Sequence, residues 1–196
     1  DNGRTKSRKK QLEELYKKCK EDSTELWDEL EQTDDDEFRQ DKLFLYYTQM
    51  GRCMYSGERI ELRDLFNKNL YDIDHIFPRS KVKDDSIDNR VLVKKQINSH
   101  KDNDYPLDST VREKMRDHWQ YLLRHGFISK KKYDRLTRVT PLTDDELADF
   151  IARQLVETSQ STKAVATLLK TLYPKTEIVY VKAELVSRFR NEYKFI

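Results

Sequence analysis

Only two cysteines, four glycines and four prolines occur in these 196 residues. Cys19 and Cys53 stand in unlike contexts, so neither a disulfide framework nor a four-cysteine zinc site can be assembled from them, and both read as buried, reduced thiols. So little Gly and Pro suits a helix-rich protein with short polar connections. No stretch approaches the run of about 18 apolar residues that a membrane-spanning helix needs, and no charged-then-apolar leader precedes the first helix, so a cytoplasmic protein is expected. Internal repeats and low-complexity tracts are absent too, and the length suits one ordinary domain with some appended helix.

What the chain does have is charge. Charged residues make up 38% and hydrophobic ones 36%, yet the net charge is only +2, because the two signs are segregated. From Glu21 to Asp41 eleven acidic residues face one basic residue, Arg39. From Ile76 to Lys101 seven Lys or Arg face three Asp, and from Val111 to Arg138 nine face three. Taken alone, such segments are solvated helix faces; beside a phosphate-handling site they become a surface that follows a nucleic-acid backbone, with the acidic segment turned away from it.

Apolar spacing predicts three helices before residue 51: Leu12, Leu15, Tyr16 and Cys19 share one face, Leu26 and Leu30 a second, and Phe38, Leu45 and Tyr46 a third. GRCMYSGERI changes period around Ser56-Gly57 and reads as a short hairpin. LYDIDHIFP alternates and stops at Pro78, RVLVKK is a second short strand, and KKQINSHK a short helix. After Pro106, Asp108 or Ser109 can cap a helix lined by Val111, Met115, Leu122 and Leu123 and stopped at Gly126. A short helix holds Tyr133 and Leu136. Thr143 and Glu146 form a capping box ahead of a long helix through Phe150, Leu155, Val165, Leu168 and Leu172, closed by Pro174. TEIVYVKAEL reads as a final strand.

The chemistry is concentrated between residues 72 and 98. Asp72, Asp74 and His75 lie at the end of one strand, Asn89 at the head of the next, and Asn98 on the following helix. Hydrolysing a phosphodiester needs a hard cation against the phosphate charge, a base for water, and a group that holds the base. Carboxylate and amide oxygens suit Mg²⁺, with Asp74 and Asn98 as ligands. Histidine titrates near neutrality and serves as a base without binding metal. On a regular strand His75 would face away from Asp74, so it must sit where the strand ends and twists.

YDIDHIFPRSKVKDDSIDNRVLVKKQIN is similar to the HNH motif of CRISPR type II RNA-guided DNA endonucleases, including the intervals from His75 to Asn89 and to Asn98. LFLYYTQMGRCMYSGERI resembles the hairpin leading into that domain, FIARQLVETSQSTKAVATLL the helical linker leaving it, and IVYVKAELVSRFRNEY the beginning of a RuvC-like segment. The resemblance implies an α+β fold, a small ββα-metal core embedded in a mainly helical domain. It makes His75 the general base, Asp74 and Asn98 the ligands of Mg²⁺ (Mn²⁺ substituting), and Asn89 the residue that holds the loop and the base. Asp72 is either a supporting residue or one that satisfies nearby backbone donors. Lys94, Lys95 and Lys101 are candidate phosphate contacts. Cys53 is followed by Ser56 where zinc-stapled relatives carry Cys-x-x-Cys, so no structural zinc is expected.

The implied organisation is a helical lead-in over 1–50, the nuclease core with its following helices over 51–138, a helical exit linker over 139–175, and the incomplete start of a RuvC-like segment over 176–196. The implied partners are the target DNA strand in a guide RNA–DNA heteroduplex and the rest of a bacterial effector, including its RuvC-like domain; no membrane partner is expected. Two other readings share these residues: a free-standing HNH endonuclease, and a catalytically silent domain that binds nucleic acid or docks onto a partner.

Overall fold

Amphipathic spacing builds three short helices ahead of the sheet: α1 (Arg8–Tyr16), α2 (Thr24–Gln32) and α3 (Asp41–Thr48), with a 3-10 turn at Asp35–Arg39 before α3. The computed structural model in which these are seen describes residues 6–19, 23–101 and 105–179. The Ser7 hydroxyl caps α1 by accepting from the Lys10 amide. The helices bury Leu12, Tyr16, Leu30, Leu45 and Tyr46 as their spacing predicts, but Leu15 and Leu26 are only half-buried, Trp27 and Tyr47 are buried instead, and Phe38 lies in the 3-10 turn ahead of α3. Tyr16 sets its ring edge-on to that of Tyr47 and donates its hydroxyl proton to the Tyr47 carbonyl at 2.7 Å.

The acidic segment is not wholly turned outward. Asp41, at the start of α3, accepts from Arg8 at 2.8 Å and from Arg90 at 2.6 Å, tying the first helix and the sheet to one carboxylate. Burial works against its charge, but these two guanidinium bonds prevail and hold its carboxyl below the usual range.

The sheet has two antiparallel strands, β1 (Tyr71–His75) and β2 (Arg90–Lys94), in the register Tyr71↔Lys94 through His75↔Arg90. Helix α4 (Lys95–Lys101) follows β2 directly and packs on both strands. The hairpin expected over 51–60 forms a single bridge, Arg52↔Arg59, flanked by bonds from the Cys53 amide to the Glu58 carbonyl and from the Ile60 amide to the Gly51 carbonyl. The Met54 amide donates to the Leu92 carbonyl, and the buried Gln49 side chain accepts from the Leu92 amide at 2.7 Å while donating to its carbonyl at 2.8 Å. Gln49 thereby stands in for a third strand along β2. Gly51, at φ +66°, makes the turn that allows this, and an added Cβ there would meet Leu26 at 3.2 Å.

Helix α5 (Ser109–Arg124) is capped by Asp108 and ends before Gly126, which takes φ +78° at the stop position. Its buried face is Met115, Trp119 and Leu122; Val111 and Leu123, expected to line it, are only half-buried. Trp119 occupies the centre and donates its indole N–H to the Met54 carbonyl. Helix α6 (Lys130–Thr137) is capped by Ser129. Helix α7 (Asp144–Leu172) begins with the expected box, in which the Thr143 hydroxyl accepts from the Glu146 amide and Glu146 accepts from the Thr143 amide. Leu155, Val165, Leu168 and Leu172 on α7 are exposed.

The chain divides into two compact units, 1–148 and 149–196. Residues 176–179 form no strand, and the remainder of the expected TEIVYVKAEL strand lies outside the described residues. Among the described residues no helix is long and apolar enough to cross a membrane.

Candidate active site

Strand β1 ends at His75, and the chain then leaves the sheet while Ile76 still donates to the Asn89 carbonyl at 2.8 Å. Both Asp74 and His75 remain in the ladder, opposite Val91 and Arg90, so the strand's alternation holds up to its last residue. Asp74 is nearly buried. Its Oδ2 accepts from the Tyr55 hydroxyl at 2.7 Å and lies 2.7 Å from the Lys101 ammonium; neither contact uses Oδ1. Burial, then the charge of Asp74 and the hydrogen bond to it, push the Tyr55 phenol well above its ordinary value, so it remains a donor.

His75 presents Nε2 to Asp85 Oδ1 at 2.7 Å, and its backbone carbonyl accepts from Lys101 at 2.8 Å. Lys101 therefore grips both site residues of β1 from the last turn of α4. Asn98 lies three residues earlier on α4, a spacing that puts the two on one helical face.

Asn89 closes a 3-10 turn, Ile87–Asn89, immediately ahead of β2. It is fully buried and makes three bonds across the intervening loop: its side-chain oxygen accepts from the Phe77 amide at 2.9 Å, and its amide group donates to the carbonyls of Phe77 at 3.1 Å and Asp84 at 2.9 Å. One side chain thus fastens both ends of the loop that follows His75.

Asp72 is exposed and accepts from the adjacent Ile73 amide at 2.8 Å, a backbone contact on the strand's outer side. Lys94 pairs with Glu58 at 3.1 Å, and Lys95 donates to the Lys68 carbonyl at 3.2 Å. Lys94 is opposite Tyr71, four residues from His75, or roughly 13 Å at about 3.3 Å per residue. Lys101, by contrast, touches both Asp74 and the His75 carbonyl.

Sequence reading missed several members. Tyr55 carries no local signal for its contact with Asp74, since 19 residues separate them. KKKYDRLT looks like a solvated basic helix, yet α6 buries Lys132 and Arg135 against the loop. Lys132 donates to the Ile87 carbonyl at 3.1 Å and the Arg90 carbonyl at 2.6 Å, on either side of Asn89. Burial brings its ammonium down to about 7. Arg135 pairs with Asp84 at 2.8 Å and lies over the Phe77 ring at 4.6 Å. Burial opposes the Asp84 charge, but hydrogen bonds from Ser86 and Arg135 prevail and bring its carboxyl to about 2.

Among the described residues no three His, Cys, Asp or Glu side chains converge on a point. Asp74 on β1 and Asn98 on α4, the expected ligands, offer one carboxylate and one amide oxygen. So sparse a set suits a cation that keeps most of its waters, which is how Mg²⁺ is held, and not a closed cage.

Residues 53–107 match the HNH endonuclease family model. The chain is also similar to CRISPR-associated endonuclease Cas9 of Streptococcus mutans, at 43% identity over 171 residues, 81% of this chain and 12% of that protein. Cas9 of Listeria innocua is 40% identical over 83% of this chain, and that of Staphylococcus aureus 31% over 79%. The chain spans about one-eighth of the length of the first two relatives. With β1, the Asn89 turn, β2 and α4 all inside the matched segment, the chain belongs to the HNH endonuclease family, in the form found in CRISPR-associated Cas9 endonucleases.

Proposed function

We propose that the chain is the nuclease domain of a CRISPR effector and hydrolyses a phosphodiester bond in the DNA strand paired to the guide RNA. The observation that carries this reading is the placement of Asp74 and His75 at the end of β1, beside the helix that bears Asn98. In this account β1, the Asn89 turn, β2 and α4 make up a ββα-metal core. His75 takes a proton from water as the water oxygen bonds to phosphorus; the bridging P–O bond of the phosphodiester breaks, and the leaving sugar oxygen takes up a proton from solvent. Asp74 and Asn98 would hold Mg²⁺, with Mn²⁺ able to substitute; bound there, the ion would offset charge on the scissile phosphate.

Asn89 keeps the loop after His75 closed, so that the base returns to one position at each turnover. Lys101 holds the Asp74 carboxylate and the His75 carbonyl in register. Tyr55, as a neutral donor, fixes Oδ2 of Asp74 and favours presentation of Oδ1. Sequence specificity comes from pairing between guide and target, and the domain reads the shape and backbone of the heteroduplex through its basic segments. Residues 139–175 serve as the exit linker of this domain in the longer effector, and 176–196 begin its RuvC-like segment.

The test is strand-resolved cleavage by the full-length effector assembled with guide RNA and Mg²⁺. Asp74→Ala and His75→Ala each abolish cutting of the guide-paired strand and leave binding of target DNA intact. Binding without any Mg²⁺-dependent cutting by the unaltered protein would favour a silent docking domain instead.

A further inference from the structure

Among the described residues Asp85 is the side chain that bonds the imidazole of His75, and the loop that carries it is anchored more heavily than an exposed polar loop needs. Its Oδ1 lies 2.7 Å from Nε2, while Oδ2 is 3.4 Å from the Arg79 guanidinium. The neighbouring Asp84 is held three times: its carboxylate by Arg135 of α6 and by the Ser86 amide, and its carbonyl by Asn89. Lys132, also on α6, pins the carbonyls of Ile87 and Arg90 where the loop rejoins β2. Arg135 itself is fixed from behind by the Tyr105 hydroxyl on its carbonyl and by the Phe77 ring beneath its guanidinium.

An ionised carboxylate only accepts hydrogen bonds, so the nitrogen facing it must carry the proton. In a neutral imidazole the lone pair then belongs to the other nitrogen, Nδ1. We infer that Asp85 is a positioning residue for His75, fixing the Nε2–H tautomer and leaving Nδ1 as the atom that accepts the proton from water. The Asp84–Arg135 pair and the two carbonyl bonds of Lys132 make α6 the brace that keeps Asp85 in place. The role of His75 as base is taken from the proposed function; the tautomer assignment rests on the Asp85 contact alone.

Two measurements test it together. The first uses the full 196-residue chain labelled with ¹⁵N in histidine, at a fixed pH where His75 is neutral. The unaltered chain shows His75 as a single Nε2–H tautomer. Asp85→Ala shows a mixture, whereas Asp85→Asn, whose side-chain oxygen still accepts, keeps the original signature. The second is single-turnover cleavage of the guide-paired strand by the full-length effector. Asp85→Ala slows it by about 10- to 100-fold, part of the roughly 10²- to 10⁴-fold that a positioned base supplies, while Asp85→Asn recovers much of the rate and metal dependence is unchanged.

An unaltered tautomer in Asp85→Ala, or a rate that is unchanged or higher, would overturn the inference; a higher rate would make Asp85 a latch on Nε2. His75→Ala separates this from the functional reading. If that variant still cuts, the base assignment falls whatever the Asp85 spectra show. If it is inactive and Asp85→Ala is not impaired, only the positioning role falls.

Discussion

The ammonium of Lys101 lies 2.7 Å from Oδ2 of Asp74, with only 8% and 12% of the two side chains exposed. Lys101 also donates to the carbonyl of His75, so one cation from α4 fixes the last two residues of β1. Among the described residues, Lys101→Met leaves a nearly buried carboxylate with the Tyr55 hydroxyl as its remaining side-chain partner. Breaking a pair this sheltered destabilises the chain by about 1–3 kcal/mol, discounted from the cost of a fully buried pair. Added Mg²⁺ raises the melting temperature of Lys101→Met more than that of the unaltered chain, because it restores a positive charge beside Asp74. Equal shifts in the two proteins would count against Asp74 as a ligand.

Asn89 makes its three bonds from a fully buried position. Asn89→Ala strands the Phe77 amide and the Phe77 and Asp84 carbonyls, for a loss of about 2–4 kcal/mol. Asn89→Asp keeps the acceptor, loses both donors and adds a buried charge, so it is no milder. Urea denaturation followed by tryptophan fluorescence checks both. A loss below about 0.5 kcal/mol, the level of an ordinary surface substitution, would mean that the loop does not depend on this side chain.

Lys132 gives a pH signature whose sign is fixed by its burial. Its ammonium titrates at about 7 in the folded chain against an ordinary 10.5. Between those values the unfolded chain binds the proton and the folded chain does not, so stability rises with pH across this window. Below about 7 both states are charged, and the folded state bears the cost of the buried charge throughout. The stability of the unaltered chain minus that of Lys132→Met therefore climbs from near pH 7 toward pH 10, at up to about 1.4 kcal/mol per unit. Other groups cancel in this difference. A flat difference would contradict the burial of Lys132.

Asp84 behaves in the opposite sense. With its carboxyl at about 2 against an ordinary 3.8, its contribution is fully present above the ordinary value and is lost as pH falls toward 2. Arg135→Gln weakens that acid dependence, because it removes one of the groups that hold the charge. Acid titration of stability for the two proteins shows a steeper fall between pH 4 and 2 in the unaltered chain. Identical acid limbs would place the Asp84–Arg135 pair outside the stabilising contacts.

Helices α1 to α7 were legible in the sequence because spacing and caps are local: the Thr143–Glu146 box and the Gly126 stop stand where their residue types put them. Asp74, His75, Asn89 and Asn98 were singled out by residue type and by the resemblance of one 28-residue stretch. The contacts that hold them were not legible. Tyr55 reaches Asp74 across 19 residues, and Arg135 reaches Asp84 across 51. The three consecutive lysines of α6 gave no sign that Lys132 alone turns inward. The hairpin expected around Ser56-Gly57 had the right turn, but no local pattern reveals that Gln49 and Met54 bond the edge of β2 at Leu92.

The most direct measurement is strand-specific cleavage by the full-length effector carrying His75→Ala, assembled with guide RNA and target DNA in Mg²⁺. The account predicts normal target binding with cutting of the guide-paired strand reduced by at least about 10³-fold, in line with removal of a base that acts together with its partners. Cutting of that strand at the unaltered rate would contradict it.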